Sequence, residues 1–143
     1  MARFSVAFTK AATGTNTLIA QLRTSASRDV RVWEIGVFST TAVLTDVGVA
    51  RATAVGSGFT SVTPQADDFS TGAATVLLDT AATGAPTNSA AYLRRAVLPA
   101  TAGSGVVWTF PAAITVPISA GLLLWNAGTG TSAALAGYVT YDE

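Results

Sequence analysis

Hydrophobic and polar positions alternate with a period of two almost from the first residue. Phe4, Val6 and Phe8 fall on one side of an extended chain and Arg3, Ser5 and Ala7 on the other, which predicts a strand with one face turned to a core. Lys10 to Thr15, with Gly14 among Ala and Thr, reads as a turn. Leu18, Ala20 and Leu22 then alternate with Thr17, Ile19 and Gln21 in a second strand, to which a short helix over Leu18 to Ser27 is the rival. Val30, Val32, Glu34 and Gly36 interleave with Arg31, Trp33, Ile35 and Val37, so both faces are apolar through the middle, as expected of a strand lying centrally in a sheet. Val47 to Ala54 continues the series until Gly56, Gly58 and Pro64 interrupt it.

From Ser57 to Asn88 the chain is rich in Thr, Ser, Gly, Ala and Asp, and the pattern predicts loops around one short strand at Thr75 to Leu78. Alternation returns in Ala91 to Leu98, Val106 to Phe110, Ile114 to Ile118, Leu122 to Trp125 and Leu135 to Tyr141. Pro99, Pro111 and Pro117 are expected at strand ends or edges, where a missing backbone donor does least harm. No capped helix-period stripe of useful length appears, and no internal repeat. About nine or ten strands, by the spacing rules for all-β chains, predict one domain over residues 1–143. The expected architecture is an antiparallel two-sheet sandwich, a jelly roll or a related Greek key.

Composition changes this picture at the surface. Half the residues are hydrophobic but only 11% are charged, against roughly a quarter in average soluble proteins. The outer faces must therefore be built from Thr, Ser, Ala, Gly and Asn, which cost little to desolvate under another subunit. Eight basic and eight acidic residues cancel, and they stand singly apart from Asp67-Asp68, Arg94-Arg95 and Asp142-Glu143. Without a basic arm or run, nucleic-acid binding is not expected. Neighbouring side chains in a strand point to opposite faces, so Arg94 and Arg95 are not expected to act together. No apolar stretch suggests a secretory signal or a membrane span, and synthesis in the cytosol is expected.

The side chains of common catalytic chemistry are missing. The chain has no histidine and no cysteine, which removes Ser-His-Asp and Cys-His arrangements, disulfides and thiolate metal sites. Carboxylates remain, as Glu34, Asp46, Asp67, Asp68 and Asp79, but no spacing marks a pair set across a sugar. Asp67 and Asp68, with oxygens of Ser70, Thr71 and Asp79, are the one candidate calcium cluster, and they lack the regular spacing of a calcium loop. Gly56-Ser57-Gly58 and Gly128-Thr129-Gly130 lack the lysine and helix of a phosphate loop and read as turns. No enzyme activity, cofactor or metal is expected. Among the aromatic residues, Trp108 shares the phase of Val106 and Phe110 and reads as core. Trp33 and Trp125 are out of phase with some apolar neighbours, which makes them candidate anchors for a subunit or ligand besides their packing role. With Arg3 and Phe4 of the N-terminal segment, which is expected to extend onto a partner, they make up the candidate interface residues.

Three stretches carry a family resemblance: Arg31-Val32-Trp33-Glu34-Ile35-Gly36-Val37-Phe38, Val106-Val107-Trp108-Thr109-Phe110-Pro111, and Ile114-Thr115-Val116-Pro117-Ile118-Ser119-Ala120-Gly121 running into Leu122-Leu123-Leu124-Trp125-Asn126. In these, and in its Ala/Thr/Gly-rich, cysteine-free composition, the chain resembles small β-sandwich virion proteins of tailed bacteriophages, including capsid decoration proteins. The resemblance implies a protein that binds a capsid's outer face as a homo-oligomer, with a trimer favoured, and cements the shell. Its partners would be copies of itself and the major capsid protein or another virion protein. Its place would be the virion, after assembly in the host cytoplasm. The alternative is a carbohydrate-binding β-sandwich module, with an exposed aromatic residue and loop polar groups as its site.

Overall fold

A computed structural model describes residues 1–69 and 71–143. They form eleven strands and no helix. The strands are β1 (Arg3–Lys10), β2 (Thr17–Arg23), β3 (Val30–Ser39), β4 (Thr45–Ala54), β5 (Ser57–Val62), β6 (Gln65–Ala66), β7 (Leu77–Gly84), β8 (Thr87–Leu98), β9 (Gly105–Val116), β10 (Gly121–Asn126) and β11 (Leu135–Asp142). One sheet runs β6-β1-β11-β3-β9 and the other β5-β7-β2-β10-β4-β8, with every pairing antiparallel. Without β5, β6 and β7 the orders are β1-β11-β3-β9 and β2-β10-β4-β8. Successive strands alternate between two four-stranded sheets except at β4 and β8, which pair directly, and this is the winding of a jelly roll. The expected sandwich is thus the fold, and β3 lies inside its sheet as its two apolar faces required.

The core fills the space between the sheets. Phe4, Val6 and Phe8 of β1 meet Val32, Ile35 and Val37 of β3, Val47 and Val49 of β4, Leu122 and Leu124 of β10 and Tyr141 of β11. The Phe4 and Tyr141 rings stack at 5.7 Å. Trp108 packs at the margin of this cluster beside Phe110, in the phase its sequence position gave it. In β2 the alternation breaks at a bulge, since Leu18 pairs with Trp125 and Ala20 with Leu124. Ile19 is the extra residue, so Ile19, Ala20 and Leu22 face the core while Leu18 turns outward with Trp125. The expected grouping of Leu18 with Ala20 and Leu22 is corrected accordingly, and the helical rival over Leu18 to Ser27 is replaced by this strand.

The segment expected to be loops around one strand holds β5, β6 and β7 instead, and they carry the molecule's most distinctive feature. The pairing of β4 with β8 runs to Ala54–Thr87, and that of β5 with β7 starts at Ser57–Gly84. The four strands thus form one long two-stranded ribbon, jointed at Val55-Gly56 and Ala85-Pro86. At one end β4 is bonded to β10 as far as Arg51, and at the other β7 is bonded to β2 from Leu77 to Asp79. Between β4 and β5 lie β10, β2 and β7, so the ribbon must cross four strand spacings, about 19 Å, and the six steps from Arg51 to Ser57 reach about 20 Å. It crosses on the side away from the core. Ala52, Ala82 and Tyr92 pack on Leu18, Leu123 and Trp125, and Val55 O accepts a hydrogen bond from Gln21 Nε2 at 3.1 Å. Leu123, although it points out of the sandwich, is fully buried. The joint requires glycine, because Gly56 has φ +78° and a Cβ there would stand 2.3 Å from Gly84 O.

The two strands expected at Val106 to Phe110 and Ile114 to Ile118 are one strand, β9. Thr109 pairs with Glu34 and Ile114 with Val32, so Phe110 to Ala113 bulge out of register around Pro111. Since β9 is an edge strand, the missing proline donor leaves no ladder bond unmade. The N-terminal segment is taken up inside its own sheet. Arg3 to Lys10 pair with Leu135 to Asp142, and Ala2 and Glu143 exchange backbone hydrogen bonds at 3.0 and 2.9 Å.

Candidate interaction surfaces

The outer face of the β6-β1-β11-β3-β9 sheet brings two of the four candidate residues together. Trp33 is the extra residue of a bulge in β3, because Val32 pairs with Tyr141 and Glu34 with Thr140. The bulge turns its indole outward, and Nε1 donates to Asp142 Oδ2 at 2.6 Å. Arg3 reaches the same carboxylate from β1, with Nε 2.9 Å from Oδ1. Its guanidinium carbon stands 5.5 Å from the Trp33 ring centroid, within cation–π range. Burial works against ionising Asp142, but the hydrogen bonds from Arg3 and Trp33 outweigh it and hold the carboxyl below its ordinary range. Beside them Glu34 accepts from Tyr138 Oη at 2.6 Å and from Thr109 Oγ1 at 3.2 Å. A shallow groove of about 430 Å³ runs along this face, lined by Arg3, Ser5, Trp33, Glu34, Asp67 and Thr109 among others.

The other two candidates lie inside the fold. Phe4 is a core residue stacked on Tyr141. Trp125 points away from the core, as its phase implied, but lies beneath the ribbon with Nε1 bonded to Asn16 Oδ1 at 2.8 Å. Neither presents its side chain at the surface.

Apolar side chains do reach the surface elsewhere. Val43 and Leu44 precede β4, and Val97 lies near the end of β8. All three are exposed, around a depression of about 470 Å³ floored by Asp46, Arg95 and the Asn126 to Thr131 turn. Arg95 Nε bonds Asp46 Oδ1 at 2.9 Å, while Arg94 stacks over Phe110. The two arginines thus serve different contacts, as alternation requires. Phe69, in the loop after β6, is fully exposed, and Val107 and Ile118 are exposed as well.

The carboxylates singled out from the sequence are dispersed. Asp79 is fully buried where β7 meets β2, and takes hydrogen bonds from Arg23 Nε at 2.7 Å, Ser61 Oγ at 2.6 Å and Gln21 Nε2 at 3.2 Å. Asp67 accepts from Ser5 Oγ at 2.8 Å on the far edge of the other sheet. Asp79 therefore does not join Asp67 in a calcium cluster, and Ser70 lies outside the described residues. Among the described residues no three of His, Cys, Asp and Glu stand together so as to hold a metal ion. What these surfaces offer is contact area: aromatic and aliphatic side chains set among hydroxyls and small residues, with few charges. No protein-family model, curated protein or solved structure matches the chain.

Proposed function

We propose that the chain is a structural virion protein of a tailed phage, a decoration protein that binds a capsid's outer face as a homo-oligomer and stabilises the shell. The observation that carries this reading is the surface. A chain with 11% charged residues exposes Val43, Leu44, Val97 and Phe69, and six of its charged side chains are taken up in the ion pairs Arg3–Asp142, Arg23–Asp79 and Arg95–Asp46. Such faces are cheap to desolvate and suit permanent contacts between subunits. The jelly roll adds rigidity, and its ribbon shields the outer side of β2 and β10. The test is co-sedimentation of the purified protein with shells of the particle that encodes it, made without the chain. Saturable binding that raises the temperature at which the shells rupture supports the reading, and absence of binding refutes it.

A second reading has an observation of its own. Trp33 lines a groove with Glu34, Thr109 and Arg3, a mixture of ring and hydrogen-bonding groups that suits a sugar. A glycan panel read by tryptophan fluorescence, with Trp33→Phe as the control, separates the two. A glycan that shifts the native signal and leaves that of the variant unmoved supports the carbohydrate-binding module.

A further inference from the structure

At the edge of the sandwich beside β9 the sheets part and leave two adjoining cavities, of about 230 and 310 Å³, that share Arg51, Ile114 and Thr115. The first is walled by Ile114, Val116, Pro117 and Leu122 and is mainly apolar. Arg51 stands at the mouth of both and Arg94 at the second. Unlike Arg3, Arg23 and Arg95, these two guanidiniums have no carboxylate partner among the described residues. An apolar slot with two unneutralised cations at its rim calls for an apolar group accompanied by negative charge.

The same chain presents that combination at its opposite edge. Phe69 is fully exposed and is directly preceded by Asp67 and Asp68. The loop is fixed there, since Asp67 N donates to Arg3 O at 2.9 Å and Ser5 Oγ donates to Asp67 Oδ1 at 2.8 Å. From β6 to β9 the sheet spans four strand spacings, about 19 Å, so a loop anchored beside β1 does not fill the slot of its own chain. A cavity of about 150 Å³ takes a benzene ring, and the first slot exceeds that.

We propose that the Phe69 ring of one copy seats in the slot of the next, with the Asp67-Asp68 pair facing Arg51 and Arg94. The inference rests on the reading above in supposing that copies associate, and it specifies how. One edge meets the opposite edge, so the contact is heterologous and builds a closed ring or an open chain rather than a two-fold dimer.

Two variants test it, Phe69→Ala and the double variant R51E/R94E, all altered side chains being exposed. Native masses are measured by sedimentation velocity, with melting temperatures confirming that each variant is folded. The expected result is that each variant alone loses association roughly 30-fold or more, as for a buried aromatic or arginine anchor. Mixed in equal amounts, the two form a heterodimer that grows no further, because one keeps an intact slot and the other an intact Phe69. Association unchanged in both variants, or a mixture that stays monomeric, overturns this contact and leaves capsid binding to be judged by co-sedimentation. A native chain that stays monomeric at millimolar concentration overturns it as well.

Discussion

Tyr138 lies across Gly36, its registered partner on the neighbouring strand, so closely that a Cβ at Gly36 would stand 2.3 Å from the ring's Cε1. The missing side chain lets the ring settle on the sheet and bring its hydroxyl to Glu34. Phe38 over Gly105 repeats the arrangement one strand further on. Substituting Gly36 by Val is expected to cost about 1–3 kcal/mol, the range for forcing volume into a filled site. Tyr138→Phe, which removes only the hydrogen bond, should cost about 0.5–1.5 kcal/mol. In a Tyr138→Ala background the Gly36→Val penalty should shrink, a coupling that urea unfolding of the four proteins measures directly.

The ribbon is held to β2 by the buried Asp79 network. Replacing Asp79 by Ala leaves the Arg23 guanidinium, whose side chain is only 27% exposed, without its carboxylate, and a loss of about 3 kcal/mol is expected. Ser61→Ala removes one donor to the same carboxylate and should cost about 1 kcal/mol. Proteolysis should then report where the loss falls, with cleavage of the Asp79→Ala variant beginning between residues 55 and 86. Cleavage spread evenly over the chain would show that the network does not specifically hold the ribbon.

Stability should fall in alkali because of Tyr141. Burial, and secondarily the negative charge of Glu143, raise the ionisation of its hydroxyl far above the ordinary value of 10.0. A group whose folded value is raised contributes stability that is complete below the unfolded value and is lost as pH climbs towards the folded one, so the decline begins near pH 10. Lys10 acts in the opposite sense. Burial lowers its value below 10.5, so stability gains from it as pH rises between its folded value and that point. The denaturation midpoint of Tyr141→Phe should therefore decline less above pH 10 than that of the native chain.

In acid the sign is reversed at Asp142. Its folded value lies below 3.8, so the stabilisation from Arg3 and Trp33 is present above that pH and disappears as pH falls through the folded value. Asp142→Asn should be less stable at pH 7 by about 1 kcal/mol and should show a flatter decline between pH 4 and 2, read by thermal unfolding. An unchanged acid slope would place the sensitivity elsewhere.

The strands that enclose the core were legible because each buries large side chains on one face, as Phe4, Val6 and Phe8 do. The ribbon was not. Along β5 the residues Ser57 to Val62 are exposed or half-exposed throughout, so no hydrophobic contrast marks the strand, and it forms because β7 pairs with it. Pro111 suggested a strand end, yet at an edge the chain accommodates it with a bulge. Trp33 and Trp125 were rightly read as out of phase with the core. That one is buried beneath the ribbon and the other joined to Arg3 and Asp142 depends on residues more than a hundred positions apart, which local pattern does not reach. The exposed Phe69 sat in a stretch read as loop, and only its exposure in the fold distinguishes it.

Self-association is the claim on which the structural role depends most directly, and native mass by light scattering across a concentration series tests it. The account predicts a homo-oligomer, a trimer being favoured, that persists on dilution into the micromolar range. A single mass of 14.4 kDa at every concentration would contradict it.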